Sequence, residues 1–147
     1  MGALALATVT GIAVWIAVRP PTPRVTRLTI TAPAAAAPSV NGVDRDLAIT
    51  GSRVVYAGVN GTQLFVRALD TLEPSSVFKG APRAPFVSPD GQWVGFVDAP
   101  TALKQVAITG GPAVTIAQMD GTSRGATWLP DDTIVFATGA TTGLQRV

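Results

Sequence analysis

The sequence predicts an all-β fold of repeated antiparallel sheets, and three features support this prediction. Aromatic residues recur at intervals of 40 residues, at Tyr56, Phe96 and Phe136. A valine or isoleucine two positions before each aromatic residue keeps the same interval, and turn residues divide each repeat into short strands. A period of about 40 residues with about four strands per repeat is typical of the blades of a β-propeller. The chain is therefore predicted to form a partial β-propeller with two four-stranded antiparallel blades and part of a third.

One N-terminal transmembrane helix is predicted to precede the propeller. Residues 2–18 carry no charge, and at about 1.5 Å per residue they would extend roughly 26 Å as a helix, close to the ~30 Å hydrocarbon core of a bilayer. Trp15 lies near the end of the run, where an interfacial aromatic residue is favoured. A cleaved signal peptide is the alternative, but no basic residue precedes the run and no small-residue cleavage site follows it.

Residues 19–43 are predicted to form a linker rich in proline and alanine, which favours an extended and semi-rigid spacer. Residues 25–31 break this composition, because they are β-rich and place Leu28 and Ile30 on one face. This piece is a candidate for a strand that closes a propeller ring. Three arginines, Arg19, Arg24 and Arg27, follow the apolar run, so the positive-inside rule taken alone would place the following domain in the cytoplasm.

The repeats are predicted over residues 44–147, and the second repeat shows the pattern best. Its turn is Ser88-Pro89-Asp90-Gly91, in which proline fixes φ and glycine supplies a positive φ. The predicted strands are residues 46–50, 53–59, 63–69 and 75–79 in the first repeat, 84–88, 93–98, 103–109 and 113–118 in the second, and 125–129, 133–138 and 143–147 in the third.

The first repeat contains the sequence Asn60-Gly61-Thr62, which matches a glycosylation sequon. A type I′ turn at Asn60-Gly61 explains the same residues, because this dipeptide is the strongest short-range hairpin signal. Two blades and part of a third cannot close a ring that needs four or more. The chain is therefore expected to be a fragment of a longer protein.

The composition excludes several classes of catalytic site. The 147 residues include no cysteine and no histidine, which removes Ser-His-Asp and Cys-His nucleophiles and His- or thiolate-ligated zinc. The net charge is only +2 and the basic residues are scattered, so no nucleic-acid partner is predicted. The low charged fraction of 14% agrees with a membrane segment and very apolar strands. We predict no catalytic, cofactor-binding or metal-binding residue, no cofactor and no enzymatic activity for this chain.

Two patterns that could suggest a site have simpler explanations. Val106-Ala107-Ile108-Thr109 resembles the Val-Ala-Ile-Lys strand of protein kinases, but threonine stands where the lysine must be. Five aspartates could be imagined as calcium ligands, but they occur about one per turn without the dense spacing of a calcium loop. They are interpreted as turn-forming residues: Asp90, Asp98, Asp120, Asp131 and Asp132.

Aromatic residues could also form a platform for a ligand. Trp93 and Trp128 would belong to it together with Tyr56, Phe96 and Phe136. Because these residues hold fixed places in the repeats, packing between blades is the favoured interpretation.

The segment from Phe86 to Phe96, FVSPDGQWVGF, resembles the repeats of TolB-like and WD-repeat-like propellers. The first repeat lacks the Pro-Asp pair, and the third has Asp132 in place of glycine. The whole arrangement is similar to the C-terminal region of bacterial receptor-type serine/threonine protein kinases, in which a kinase domain is followed by a membrane helix, a proline-rich linker and an extracytoplasmic propeller. The kinase domain is absent from this chain.

This resemblance implies a non-catalytic sensing or protein-interaction module, anchored by a single pass in the bacterial inner membrane with the propeller outside the cytoplasm. The partners it implies are the membrane and a protein or small ligand that the sequence does not name. Two alternatives remain at this point. The chain could be the propeller domain of a prolyl oligopeptidase-like peptidase, which needs a catalytic domain downstream. It could also be a TolB-like periplasmic scaffold, which needs a cleavable signal.

Overall fold

The computed structural model describes residues 29, 31–40, 45–139 and 143–147 of the chain. Nearly all of these belong to the compact unit Thr31–Val147. The predicted membrane segment, residues 2–18, lies outside the described residues, as does most of the predicted closing strand, residues 25–31. Within the described part of the chain, no helix has the length and apolar character needed to cross a membrane. Its one helix is the 3₁₀ turn Ala34–Ala36.

In the described residues, eleven strands form three antiparallel sheets in which neighbours in sequence are neighbours in space. The first sheet contains β1 (Leu47–Thr50), β2 (Arg53–Gly58), β3 (Gln63–Ala68) and β4 (Ser75–Lys79). The second contains β5 (Pro82–Val87), β6 (Trp93–Asp98), β7 (Ala102–Ala107) and β8 (Val114–Gln118). The third contains β9 (Ser123–Trp128), β10 (Ile134–Thr138) and β11 (Leu144–Arg146). Each predicted strand is present to within two residues at either end, and the prediction of a partial propeller is confirmed.

The turn between β5 and β6 shows why the second repeat folds as predicted. The Ser88 hydroxyl accepts a hydrogen bond from the Trp93 amide at 2.9 Å, and the Asp90 carboxylate accepts one from the Gln92 amide at 3.0 Å. Gly91 has a φ of 69°, which a side chain would disfavour. The third repeat keeps this backbone shape with Asp132 at a φ of 64°.

The β2–β3 hairpin has the predicted turn at Asn60-Gly61, with φ values of 56° and 78° and a hydrogen bond of 3.2 Å from the Thr62 amide to the Val59 carbonyl. Val59 before it is also left-handed, with a φ of 53°, and the Gly61 amide donates to the Gly58 carbonyl at 3.1 Å. Two successive left-handed residues are the type I′ pattern. A β-branched residue is rarely left-handed. Val59 is held there because its amide donates to the Ala37 carbonyl at 3.2 Å.

The core consists of one apolar layer on each side of the second sheet. Val55, Leu64, Val94, Phe96 and Val106 are buried in the layer shared with the first sheet. A second layer, between the second and third sheets, contains the following buried residues: Phe86, Val97, Leu103, Met119, Ile134 and Phe136. Side chains alternate across a strand. β6 therefore sends Val94 and Phe96 towards the first sheet and Val97 towards the third.

Residues 31–40, here called the strap, cover the remaining face of the first sheet. The Tyr56 hydroxyl donates to the Ala36 carbonyl at 3.0 Å, and the Ser39 amide donates to the Ala57 carbonyl at 2.9 Å. Ala36 is buried with Val54 and Tyr56 in a third apolar cluster. The strap lies within the predicted linker, residues 19–43, and forms part of the folded unit.

Candidate functional site

The first strands of the three sheets lie side by side and form the walls of a cleft. β5 contacts β1 on one side and β9 on the other. The cleft has a volume of about 560 Å³. In a propeller the innermost strands surround the central axis. The cleft therefore corresponds to the axial region of the partial ring.

Two of the walls carry irregular backbone at the cleft. The pairing of β5 with β6 shifts register between Arg83 and Phe86, and Ala84 between them has a φ of 47°. The pairing of β9 with β10 shifts at Ser123 and Gly125, and Gly125 has a φ of 131°. Such bulges bend a strand and redirect its side chains. A left-handed alanine costs on the order of 1 kcal/mol, so the bend in β5 is maintained by its surroundings.

Arginine recurs where each inner strand begins. Arg45 precedes β1, Arg83 is the second residue of β5, and Arg124 is the second residue of β9. All three side chains are exposed. Arg45 and Arg124 line the cleft, and Arg83 lines an adjoining cleft that shares Ser123. The basic residues are scattered along the sequence as a whole, but arginine recurs near the start of successive inner strands, a pattern that the sequence alone did not indicate as a site.

Part of the cleft lining is apolar and aromatic. Leu47 is 50% exposed there. The Phe86 and Trp128 rings contact each other in a tilted arrangement, with centroids 6.1 Å apart and an angle of 59° between the ring planes. The Trp128 indole N–H is buried and has no acceptor among the described residues. The cleft therefore offers positive charge at its arginines and an apolar surface beside them.

The residues weighed in the sequence fall into separate places. Val106 and Ala107 end β7, and Ile108 and Thr109 begin the turn after it. Val106 and Ile108 are buried in the first core layer, so the interpretation of this segment as part of the propeller repeat is confirmed. Phe96 and Phe136 pack between sheets, and Tyr56 packs under the strap.

The two tryptophans do not form a platform with these aromatic residues. Trp93 is 38% exposed, and Trp128 lies at the cleft. Trp128 also packs against the core layer between the second and third sheets, so the interpretation as packing between blades holds for Trp128 as well.

The aspartates divide into two groups. Asp90 and Asp131 cap turns, where Asp131 accepts from the Thr133 amide at 3.1 Å. The hydrogen bond from the Ser88 hydroxyl, together with that from the Gln92 amide, lowers the pKa of Asp90. Asp98 is the last residue of β6 rather than a turn residue, whereas Asp120 lies in the bend between β8 and β9 as interpreted. The carboxylates of both residues link neighbouring segments.

Asp98 is held by partners on two sides. The Lys104 ammonium lies 2.7 Å from its carboxylate and also 5.5 Å from the centroid of the Phe78 ring. The Ala81 amide donates to the other carboxylate oxygen at 2.9 Å. Burial opposes ionisation of Asp98, but the hydrogen bonds from Lys104 and Ala81 and the charge of Lys104 outweigh it and lower the pKa. No group of three or more acidic side chains placed to hold a metal ion occurs in residues 31–40, 45–139 and 143–147.

Comparison with solved structures identifies the fold. A protein described as TolB from Agrobacterium tumefaciens matches with a TM-score of 0.55 and 17% identity, over 65% of this chain and 38% of that one. TolB from Acinetobacter baumannii matches with a TM-score of 0.51 and 19% identity, over 65% of this chain and 26% of that one. A chain of the nidogen/laminin complex matches with a TM-score of 0.54 and 12% identity, over 71% of this chain and 40% of that one.

These matches show the fold alone. The sheets have the arrangement of part of a TolB-like β-propeller, and the chain spans well under half the length of each of these solved chains. No protein-family profile matches the sequence, and no curated protein matches it.

Proposed function

We propose that this chain is a membrane-anchored β-propeller that acts as a non-catalytic sensing or protein-interaction module. In this proposal it corresponds to the extracytoplasmic C-terminal region of a bacterial receptor-type serine/threonine kinase. The observation that carries the proposal is the cleft between the inner strands, which combines exposed arginines with an apolar wall. Binding surfaces of propellers lie on such rigid scaffolds because the repeats fix the loops and strand ends.

Two further observations support an interaction role. One matched structure is a chain of the nidogen/laminin complex, and so belongs to an assembly of two proteins. The uncharged run at residues 2–18 supports anchoring, because a helix of this length and polarity is stable in a bilayer.

The test uses the full chain expressed in bacterial cells. We expect the protein to stay in the membrane fraction after an alkaline carbonate wash and to be released when residues 2–18 are deleted. Cross-linking in intact cells should join the anchored chain to a protein partner, and protease added to spheroplasts should cut the propeller. A soluble product that begins near Arg19 would show a cleaved signal instead of an anchor.

The non-catalytic part of the proposal has its own test. The purified full chain should neither hydrolyse ATP nor transfer phosphate to a protein. Turnover that a point substitution within residues 44–147 abolishes would contradict this part.

A further inference from the structure

We propose that the cleft between β1, β5 and β9 binds an extended acidic peptide segment of a partner protein. This inference rests on the proposed function, because it names the chemistry of the partner that the interaction module would recognise. Charge, apolar surface and the open edges of the inner strands each contribute to it.

The charge of the cleft is one-sided. Arg45 lies on the β1 side and Arg124 on the β9 side, and β5 lies between these strands. Arg45 and Arg124 are both exposed, and among the described residues no acidic residue lines the cleft. Neither arginine forms an ion pair within the part of the chain that the structure describes. Guanidinium groups bind carboxylates with paired hydrogen bonds, so two carboxylates spaced along one ligand fit this arrangement.

The apolar wall makes a peptide a better fit than a free anion. Leu47, Phe86 and Trp128 line the same cleft as the two arginines. A volume of about 560 Å³ holds several side chains rather than a single small ion. A ligand that alternates acidic and apolar side chains would place carboxylates at the arginines and apolar groups against the rings.

The inner strands also present backbone groups to an extended ligand. β1 pairs only with β2, β5 only with β6 and β9 only with β10 within the described residues. The other edge of each strand therefore has N–H and C=O groups without a strand partner, and such edges bind extended peptides. The backbone supplies affinity in this mode, and the arginines supply the preference for acidic side chains.

The direct test measures binding of a synthetic peptide to the full chain in detergent micelles. The probe is a fluorescein-labelled octapeptide of alternating Asp and Leu with blocked ends, followed by fluorescence anisotropy. We expect Arg45→Glu and Arg124→Glu each to weaken binding on the order of tenfold, and Arg→Lys at either position to weaken it only a few-fold. Raising the salt concentration should also weaken binding, because the charges are exposed.

Matched controls separate a site from general attraction. Arg146→Glu makes the same charge change on the exposed side chain of β11, outside the cleft, and should leave the affinity unchanged. A Lys-Leu octapeptide should not bind. An octapeptide with proline at every second position should bind weakly, because proline removes backbone donors. Inorganic phosphate at millimolar concentration should compete poorly.

Each other outcome overturns the inference. An equal loss with Arg146→Glu would show non-specific attraction, and unchanged affinity in both cleft variants would place binding elsewhere. Binding of phosphatidylglycerol vesicles through Arg45 and Arg124, without peptide binding, would identify a membrane contact instead. If a Glu variant loses its thermal unfolding transition, Arg→Gln at the same position replaces it. A cross-linked partner in cells that survives both substitutions would leave the proposed function standing and reject only the acidic-peptide site.

Discussion

The last residue of the second strand holds the same repeat position in all three sheets but has a different role in each. It is Gly58 in β2, Asp98 in β6 and Thr138 in β10, at intervals of 40 residues. In the second sheet Asp98 links the segment before β5 to β7, through the Ala81 amide and the Lys104 ammonium.

The third sheet makes the equivalent link with the polarity exchanged. Here the carboxylate is that of Asp120, in the segment before β9. The hydroxyl of Thr138 on β10 donates a hydrogen bond to this carboxylate at 2.8 Å. The side-chain amide of Gln145 on β11 donates to the other carboxylate oxygen of Asp120 at 3.0 Å. In both sheets a carboxylate therefore joins the segment before the first strand, the end of the second strand and the third strand, although different side chains make the link.

The first sheet has glycine at this position because the strap occupies the space. A Cβ on Gly58 would lie 2.8 Å from the Ala37 carbonyl oxygen. The strap also increases the burial of β2, whose five residues after Arg53 are all buried. In β10, which has the equivalent place in the third sheet, buried and half-buried residues alternate. A short segment rich in alanine and proline can thus cover a sheet face by backbone hydrogen bonds and one tyrosine.

The largest effect is expected where two complete sheets meet. Phe96 is fully buried, and its ring centroid lies 4.6 Å from that of Phe78. Phe96→Ala should lower the free energy of unfolding by about 3–5 kcal/mol, because it leaves a cavity between sheets. Tyr56→Ala, at the same repeat position under the strap, should cost less, since the strap can settle into the space. Urea unfolding followed by fluorescence measures both, and equal losses would contradict the comparison.

A side chain at Gly58 should detach the strap. Gly58→Ala brings a methyl group against the Ala37 carbonyl and, at 3.0 Å, the Phe65 ring, so we expect a loss of about 1–3 kcal/mol. Elastase should then cut within Ala34–Ala36 several-fold faster. Gly139→Ala is the control, because its nearest neighbours lie 3.5 Å or more from the added methyl group. Equal cleavage rates in wild type and Gly58→Ala would show that the strap does not depend on this contact.

The Tyr56 hydroxyl should contribute a smaller amount. Tyr56→Phe removes the hydrogen bond to the Ala36 carbonyl and should cost about 1 kcal/mol. Burial raises the pKa of Tyr56, although the nearby charge of Arg67 opposes this. A raised folded-state pKa means that the contribution is complete below the ordinary value of 10.0 and is lost as the pH rises through the folded value. The stability difference between wild type and Tyr56→Phe should therefore shrink above pH 10, and a difference that is constant with pH would contradict this account.

The link made by Asp98 should have the smallest effect and a defined pH dependence. Its pKa is lowered below the ordinary 3.8, so its stabilisation is present above that value and is lost as the pH falls through the lower folded value. Asp98→Asn should cost less than about 1 kcal/mol at neutral pH, because the pair with Lys104 is partly exposed. The cost should diminish below pH 3.8. The exposed Asp70, with the substitution Asp70→Asn, is the control, and a cost for Asp98→Asn that persists at pH 2 would contradict the assignment.

The positions of the strands could be predicted because they depend on neighbouring residues. Turns such as Ser88-Pro89-Asp90-Gly91 fold through bonds within the turn, and the apolar strands between them recur at a fixed period. The roles of Asp98 and Asp120 could not be predicted, since each depends on which side chains lie across a strand or a loop.

The sequence by itself determined the 40-residue repeat and the strands. It also determined which aromatic residue of each sheet packs against the part of the chain that covers that sheet on its N-terminal side. The tertiary structure alone decided what that covering part is. For Phe96 and Phe136 it is another sheet, and for Tyr56 it is the strap, which has no hydrophobic periodicity of its own. It also decided that Arg45 and Arg124, far apart in the chain, line one cleft. Local propensity acts over a few residues, whereas the occupant of a sheet face is selected by contacts between distant segments.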